Sequence, residues 1–119
     1  MIATLYMSNE RGSRRTTLQL RMTPEGSDYV VPDNSHILYC KSLLKKHDIT
    51  TDITFVTLSR FNQERYCGRE AYTVMIDHYV SDFCAVPRPN YSEWDFTIKH
   101  YHRMMDFFLT RRNITVIVA

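Results

Sequence analysis

A chain of 119 residues, 44% hydrophobic and 24% charged, has the size and composition of one folded domain, 1–119, whose core needs no metal or disulfide staple. These values exclude wholesale disorder, and a net charge of +2 excludes a polyanion binder resting on charge alone. Three glycines leave no glycine-rich phosphate loop. Three cysteines without paired spacing, no apolar run of membrane length and no secretory leader pattern point to a cytoplasmic protein with reduced thiols and no membrane contact.

In chain order, residues 2–8 and 16–23 read as a strand pair, because Leu18, Leu20 and Met22 alternate with Thr17, Gln19 and Arg21. Arg11, Arg14 and Arg15 then fall at the tip of a basic hairpin, and the strand's parity places Arg21 on the solvent face beside them. Arg presents a planar fork to carboxylate or phosphate where Lys presents a point charge, so this tip is the first candidate contact. A loop over 24–28 leads to an extended Tyr29-Val30-Val31 stopped by Pro32. Asp33, Asn34 and Ser35 suit a helix N-cap. The following segment aligns Ile37, Cys40, Leu44 and His47 on one stripe and closes with Lys45, Lys46 and His47, where the helix dipole favours cations. Residues 51–58 form a near-continuous β-prone run, the pattern of a strand covered on both faces.

Over 60–84, Ala71, Met75 and Tyr79 with Tyr72, Ile76 and Phe83 fit helical spacing, and a helix beginning after Gly68 is expected, although Tyr72–Ile76 equally suits a strand. Pro87 and Pro89 enforce a break. Ser92-Glu93-Trp94-Asp95 resembles a capping box opening a long helix to about Arg112, and Ile114–Val118 reads as a strand. The expected fold is α+β in an α/β layer: a four-stranded sheet in the order ββαβααβ along the chain, with helices packed on it.

The long helix shows two apolar faces. Trp94, Ile98, Tyr101, Met105, Phe108 and Leu109 span a sector of roughly 100° that should face the core. Roughly opposite lie Phe96, His100, Met104 and Phe107, flanked by Arg103 and Arg111. Either the helix within 70–84 covers this second face, or it is an apolar patch that meets a partner or a second copy of the chain.

Motifs of chemistry are sparse. His100-Tyr101-His102 would hold a metal ion on a strand, as in a metal-dependent nuclease, but on a helix the two rings diverge by about 200°. His100 and His102 are therefore only a weak metal alternative, and no metal or cofactor is expected. His36 and Cys40 lie one helical turn apart, and Asp77-His78 stands near Asp82. Their plainer readings are a capped helix start and a solvated edge. No dinucleotide fingerprint, P-loop, zincin, Cys-x-x-Cys or nucleophile-elbow motif occurs. The sequence thus favours a non-enzymatic binding protein, a regulator, inhibitor or accessory factor of the kind viruses and phages encode. It would dock on a protein, or alternatively on nucleic acid, through an acidic surface of the partner. The contacts would come from Arg11, Arg14, Arg15 and Arg21 and from Phe96, Arg103, Met104, Phe107 and Arg111, with a homodimer as a corollary.

Overall fold

The structure, a computed structural model, describes residues 2–4, 15–67, 71–85 and 92–118. The helix-on-sheet layer expected from the sequence is present. The strands are β1 (Ile2–Thr4), β2 (Ser27–Val31), β3 (Ile53–Thr57), β4 (Tyr72–Ile76) and β5 (Ile114–Val118). All their pairings are parallel, in the order β1-β5-β4-β2-β3, so four five-residue strands carry the sheet and the short β1 extends one edge. The helices are α1 (Arg15–Met22), α2 (Asn34–Lys46), α3 (His78–Ala85) and α4 (Ser92–Leu109).

Side chains alternate between two cores, as a sheet covered on both faces requires. Val30, Val74, Ile76, Ile114 and Val116 pack with Val80 of α3 and with Met104, Phe107 and Phe108 of α4. On the other face Tyr29, Val31 and Met75 pack with Leu20 of α1 and Cys40 of α2. β2 lies between β4 and β3 and is buried along its whole length. The strand over 53–57, expected to be covered on both faces, is instead the β3 edge, with Thr54 exposed.

Two assignments change. Residues 15–22 are helical, not a strand, so no hairpin runs into 16–23. The alternation misleads because the buried face of this helix is largely polar: Thr16, Thr17 and Gln19 are buried with Leu20, while Leu18 and Met22 are 42% and 54% exposed. Residues 72–76 form a strand, and the helix begins only at His78. Val74 and Ile76 feed one core and Met75 the other, a division that a strand makes and a helix cannot. By contrast α2 begins as expected, with the Asp33 carboxylate accepting from the His36 N–H at 2.8 Å.

At the amino end of β2, Asp28 is 3% exposed and fully engaged. Arg65 donates to its two oxygens through Nε and Nη2, both at 2.8 Å, and the Tyr66 hydroxyl donates at 2.6 Å. This anchors the 3-10 turn Gln63–Tyr66, whose Tyr66 ring packs edge-on against Phe108.

Helix α4 is rotated by about one residue from the expected register: Met104 and Phe108 are fully buried and Phe107 is 7% exposed, whereas Leu109 is 48% exposed. Met104→Ala should therefore cost about 3 kcal/mol and Phe108→Ala about 4, against less than about 1 kcal/mol for Leu109→Ala. Asp28→Asn should cost about 2 kcal/mol by weakening a carboxylate that holds two partners. Urea denaturation reads all four, and equal losses at 104 and 109 would contradict the rotation.

Candidate functional site at the carboxyl ends of β2 and β4

The chain leaves β2 through α2 to reach β3 on one side, and leaves neighbouring β4 through α3 and α4 to reach β5 on the other. The helices depart onto opposite faces. In open parallel sheets such a reversal is the usual place for a ligand crevice; here buried side chains fill it.

Asp77 stands there, one residue past β4, with no exposed surface. Its backbone N–H continues the ladder to Val30 O at 3.0 Å. Its Oδ2 accepts from the Tyr29 hydroxyl at 2.5 Å, and its Oδ1 accepts from the Tyr79 N–H at 2.8 Å. His36 Nε2 of α2 lies 3.3 Å from Oδ1 but off the line of a hydrogen bond, and this buried nitrogen has no hydrogen-bond partner. Burial alone would raise the Asp77 pKa; His36, Tyr29 and the Tyr79 N–H outweigh it and hold the carboxyl below its ordinary value. Burial and the nearby Asp77 push the Tyr29 hydroxyl far up, so it remains a donor.

Cys40 lies one helical turn beyond His36, fully buried. The ligand atoms of His36, Cys40 and Asp77 all fall within 4.8 Å of one another, the one such His/Cys/carboxylate group among the described residues. Burial, and then Asp77, push the Cys40 thiol up to about 12. Thiols in apolar, buried surroundings are raised in this way.

Helix α1 walls this end of the sheet. The Gln19 amide is fully buried, donating to Ile76 O at 2.8 Å and accepting from the His78 N–H at 2.7 Å. Thr16 Oγ1 and His78 Nε2 are 2.8 Å apart, and Arg15 meets Asp82 at 2.7 Å. Burial pushes the His78 pKa below its ordinary value against the pull of Asp77. At the mouth, the His36 ring sits 5.7 Å from Tyr39 and 4.9 Å from Tyr79, both about half exposed.

The residues singled out from the sequence are dispersed. Arg11 and Arg14 lie outside the described residues, as does the Phe96 side chain. Arg15 is committed to Asp82, and Arg21 is exposed on α1. Met104 and Phe107 belong to the core, so they cannot form an exposed docking or dimer face; α3, α4 and the segment following β3 close over that side of the sheet. Arg111 lies over the Phe107 ring, 4.7 Å from its centre. His100 and Arg103 line an open cleft of about 330 Å³ with Phe61, Gln63 and Glu64. His100 and His102 are both on α4, where their side chains diverge, and the two-histidine metal grip fails on that geometry.

The sequence exposed the His36–Cys40 spacing and the Asp77-His78 pair separately. It did not reveal that adjacent strands bring them together. Comparison with protein-family models, with curated proteins and with solved structures found no match.

Because the Asp77 pKa is lowered on folding, its contribution to stability is full above the unfolded carboxyl pKa of about 3.9 and is lost as pH falls through the lower folded value. Asp77→Asn should cost about 2 kcal/mol near neutrality, with the gap to wild type narrowing below about pH 4. A gap that widens toward acid would contradict this assignment. Gln19→Leu should cost about 2 kcal/mol at all pH values, since it strands the His78 N–H.

Proposed function

We propose that this protein is a non-catalytic binding protein, a regulatory or accessory factor that docks on the acidic surface of a protein partner. The observation that carries the reading is the outer face of the α1–α2 layer. Neither helix contains an acidic residue, and together they carry Arg15, Arg21, Lys41, Lys45 and Lys46. All but Arg15 are exposed, and Arg15 is held by Asp82. Between these cations stand exposed Leu18, Met22 and Leu38, the last at 70%. By helical geometry Leu38, Lys41 and Lys45 share the side of α2 opposite Cys40, and Leu18, Arg21 and Met22 share the solvent side of the neighbouring α1.

Cations interleaved with Leu and Met favour a protein interface over a phosphate backbone. Nucleic acid rewards the charges but leaves the apolar groups in water. Among the described residues no helix is long and apolar enough to cross a membrane. The free thiols of Cys40 and Cys67 suit a reducing compartment such as the cytoplasm.

The test is affinity capture from host lysate with wild type and with Leu38→Glu/Lys41→Glu, each with and without nuclease. A protein retained by wild type after nuclease treatment and lost by the double variant, with a dissociation constant weakened at least about tenfold on purification, is expected. Capture that disappears with nuclease would transfer the face to nucleic acid. Equal capture by both forms would remove the face from the mechanism.

A further inference from the structure

Beyond the carboxyl ends of β2 and β4 lies a group of side chains that the docking face does not use. We infer that His36, Cys40 and Asp77 form a three-ligand site for a divalent cation of the zinc class. Three independent features converge on it. Their ligand atoms, from α2 and from the β4–α3 turn, lie within 4.8 Å of one another. A tetrahedral zinc site, with bonds of about 2.0–2.3 Å, needs ligand spacings of about 3.3–3.8 Å, so side-chain shifts of up to about 1.5 Å close the set. His and Cys at i and i+4 on one helix face present their donors together, as paired ligands on a helix must.

The second feature is the unfilled coordination capacity of His36. Its Nε2 is buried without a hydrogen-bond partner, although a buried polar atom in a native structure is nearly always satisfied. It lies 3.3 Å from Asp77 Oδ1 without hydrogen-bond geometry, a separation that a cation bound to both atoms would bridge. The third is the support already built around the carboxylate. Tyr29 Oη donates to Oδ2 and the Tyr79 N–H to Oδ1, the kind of outer hydrogen bonding that orients a ligating carboxylate.

The chemistry of the set selects the cation. One thiolate, one imidazole and one carboxylate suit Zn²⁺ or Co²⁺, while Mg²⁺ and Ca²⁺ demand oxygen ligands throughout. Coordination replaces the thiol proton with the metal, and the proton leaves to solvent. Three protein ligands leave a fourth position. It would lie toward the His36 side of the site, where that side chain retains 12% exposure beneath Tyr39 and Tyr79.

Cobalt titration of the full chain, reduced and freed of metal by chelation, tests the inference. One equivalent of Co²⁺ should produce a sulfur-to-cobalt charge-transfer band in the near ultraviolet and visible bands of tetrahedral intensity, and Zn²⁺ should displace both. The band should persist in Cys67→Ser/Cys84→Ser and vanish in Cys40→Ser. Zn²⁺ affinity by competition should fall at least about a hundredfold in His36→Ala, and about tenfold in Tyr29→Phe, which removes only an outer hydrogen bond. Circular dichroism monitors folding of each variant. If Cys40→Ser does not fold, His36→Ala decides the matter alone, since its ring lies at the mouth. No charge-transfer band in wild type, a band that survives Cys40→Ser, or a Zn²⁺ affinity unchanged in His36→Ala would overturn the site. The docking variants leave all three ligands in place, so failure of one reading is distinguishable from failure of the other.

Discussion

The carboxylate of Asp77 is the constraint around which one end of this molecule is arranged. An ion without exposed surface carries a desolvation penalty of several kcal/mol, which only converging donors can offset. Here those donors come from separate elements: the Tyr29 hydroxyl from β2 and the Tyr79 N–H from the first turn of α3, with the His36 ring of α2 alongside. Each therefore has its position set by the same group. Tyr29 can be a fully buried tyrosine in a central strand because its hydroxyl has this acceptor. The start of α3 follows β4 without a loop because Asp77 serves both as the last ladder donor, to Val30 O, and as acceptor for the helix's Tyr79 N–H.

Asp28 performs the corresponding task at the opposite end of the β2–β4 pair. There the donors are Arg65 and Tyr66, and they fix a 3-10 turn rather than a helix. The two sites differ in one physical respect. Asp28 is met by a guanidinium and a hydroxyl in good geometry, whereas beside Asp77 the buried His36 Nε2 is in ion-pair range but forms no hydrogen bond. Saturation marks the first as structural, and incompleteness distinguishes the second.

What could be read from the sequence follows from where the information resides. Helix α2 was legible because Asp33, the Ile37–Cys40–Leu44 stripe and the terminal lysines are local signals that all agree. β5 and the existence of α4 were legible for the same reason. Helix α1 was not, because its buried face is Thr16, Thr17, Gln19 and Leu20. Such a face is stable only against the Ile76 carbonyl, the His78 N–H and the His78 ring, partners about sixty residues away. The β4 run sat between helix and strand until both of its faces acquired a core. The α4 register failed by one residue because two apolar sectors competed, and the aromatic cluster of Phe61, Tyr66 and Phe108 settled the rotation. His36, Cys40 and Asp77 became one group only through the β2–β4 pairing, which no local pattern encodes.

Helix α2 is the element on which both functional readings rest, and its geometry keeps them apart. Successive positions two residues distant differ by about 200°, so Cys40 facing the core requires Leu38 to face away from it. The inward side of α2 is apolar except at His36 and Cys40, the two residues that reach Asp77. Its outward row is Leu38, Lys41 and Lys45, with no acid to neutralise it. The acid that suits the helix's amino end is the N-cap Asp33. Between Asn34 and Lys46 the helix carries no acid, so Lys41, Lys45 and Lys46 have none within it to pair with. The outward row can therefore be changed without disturbing anything that Asp77 holds in place.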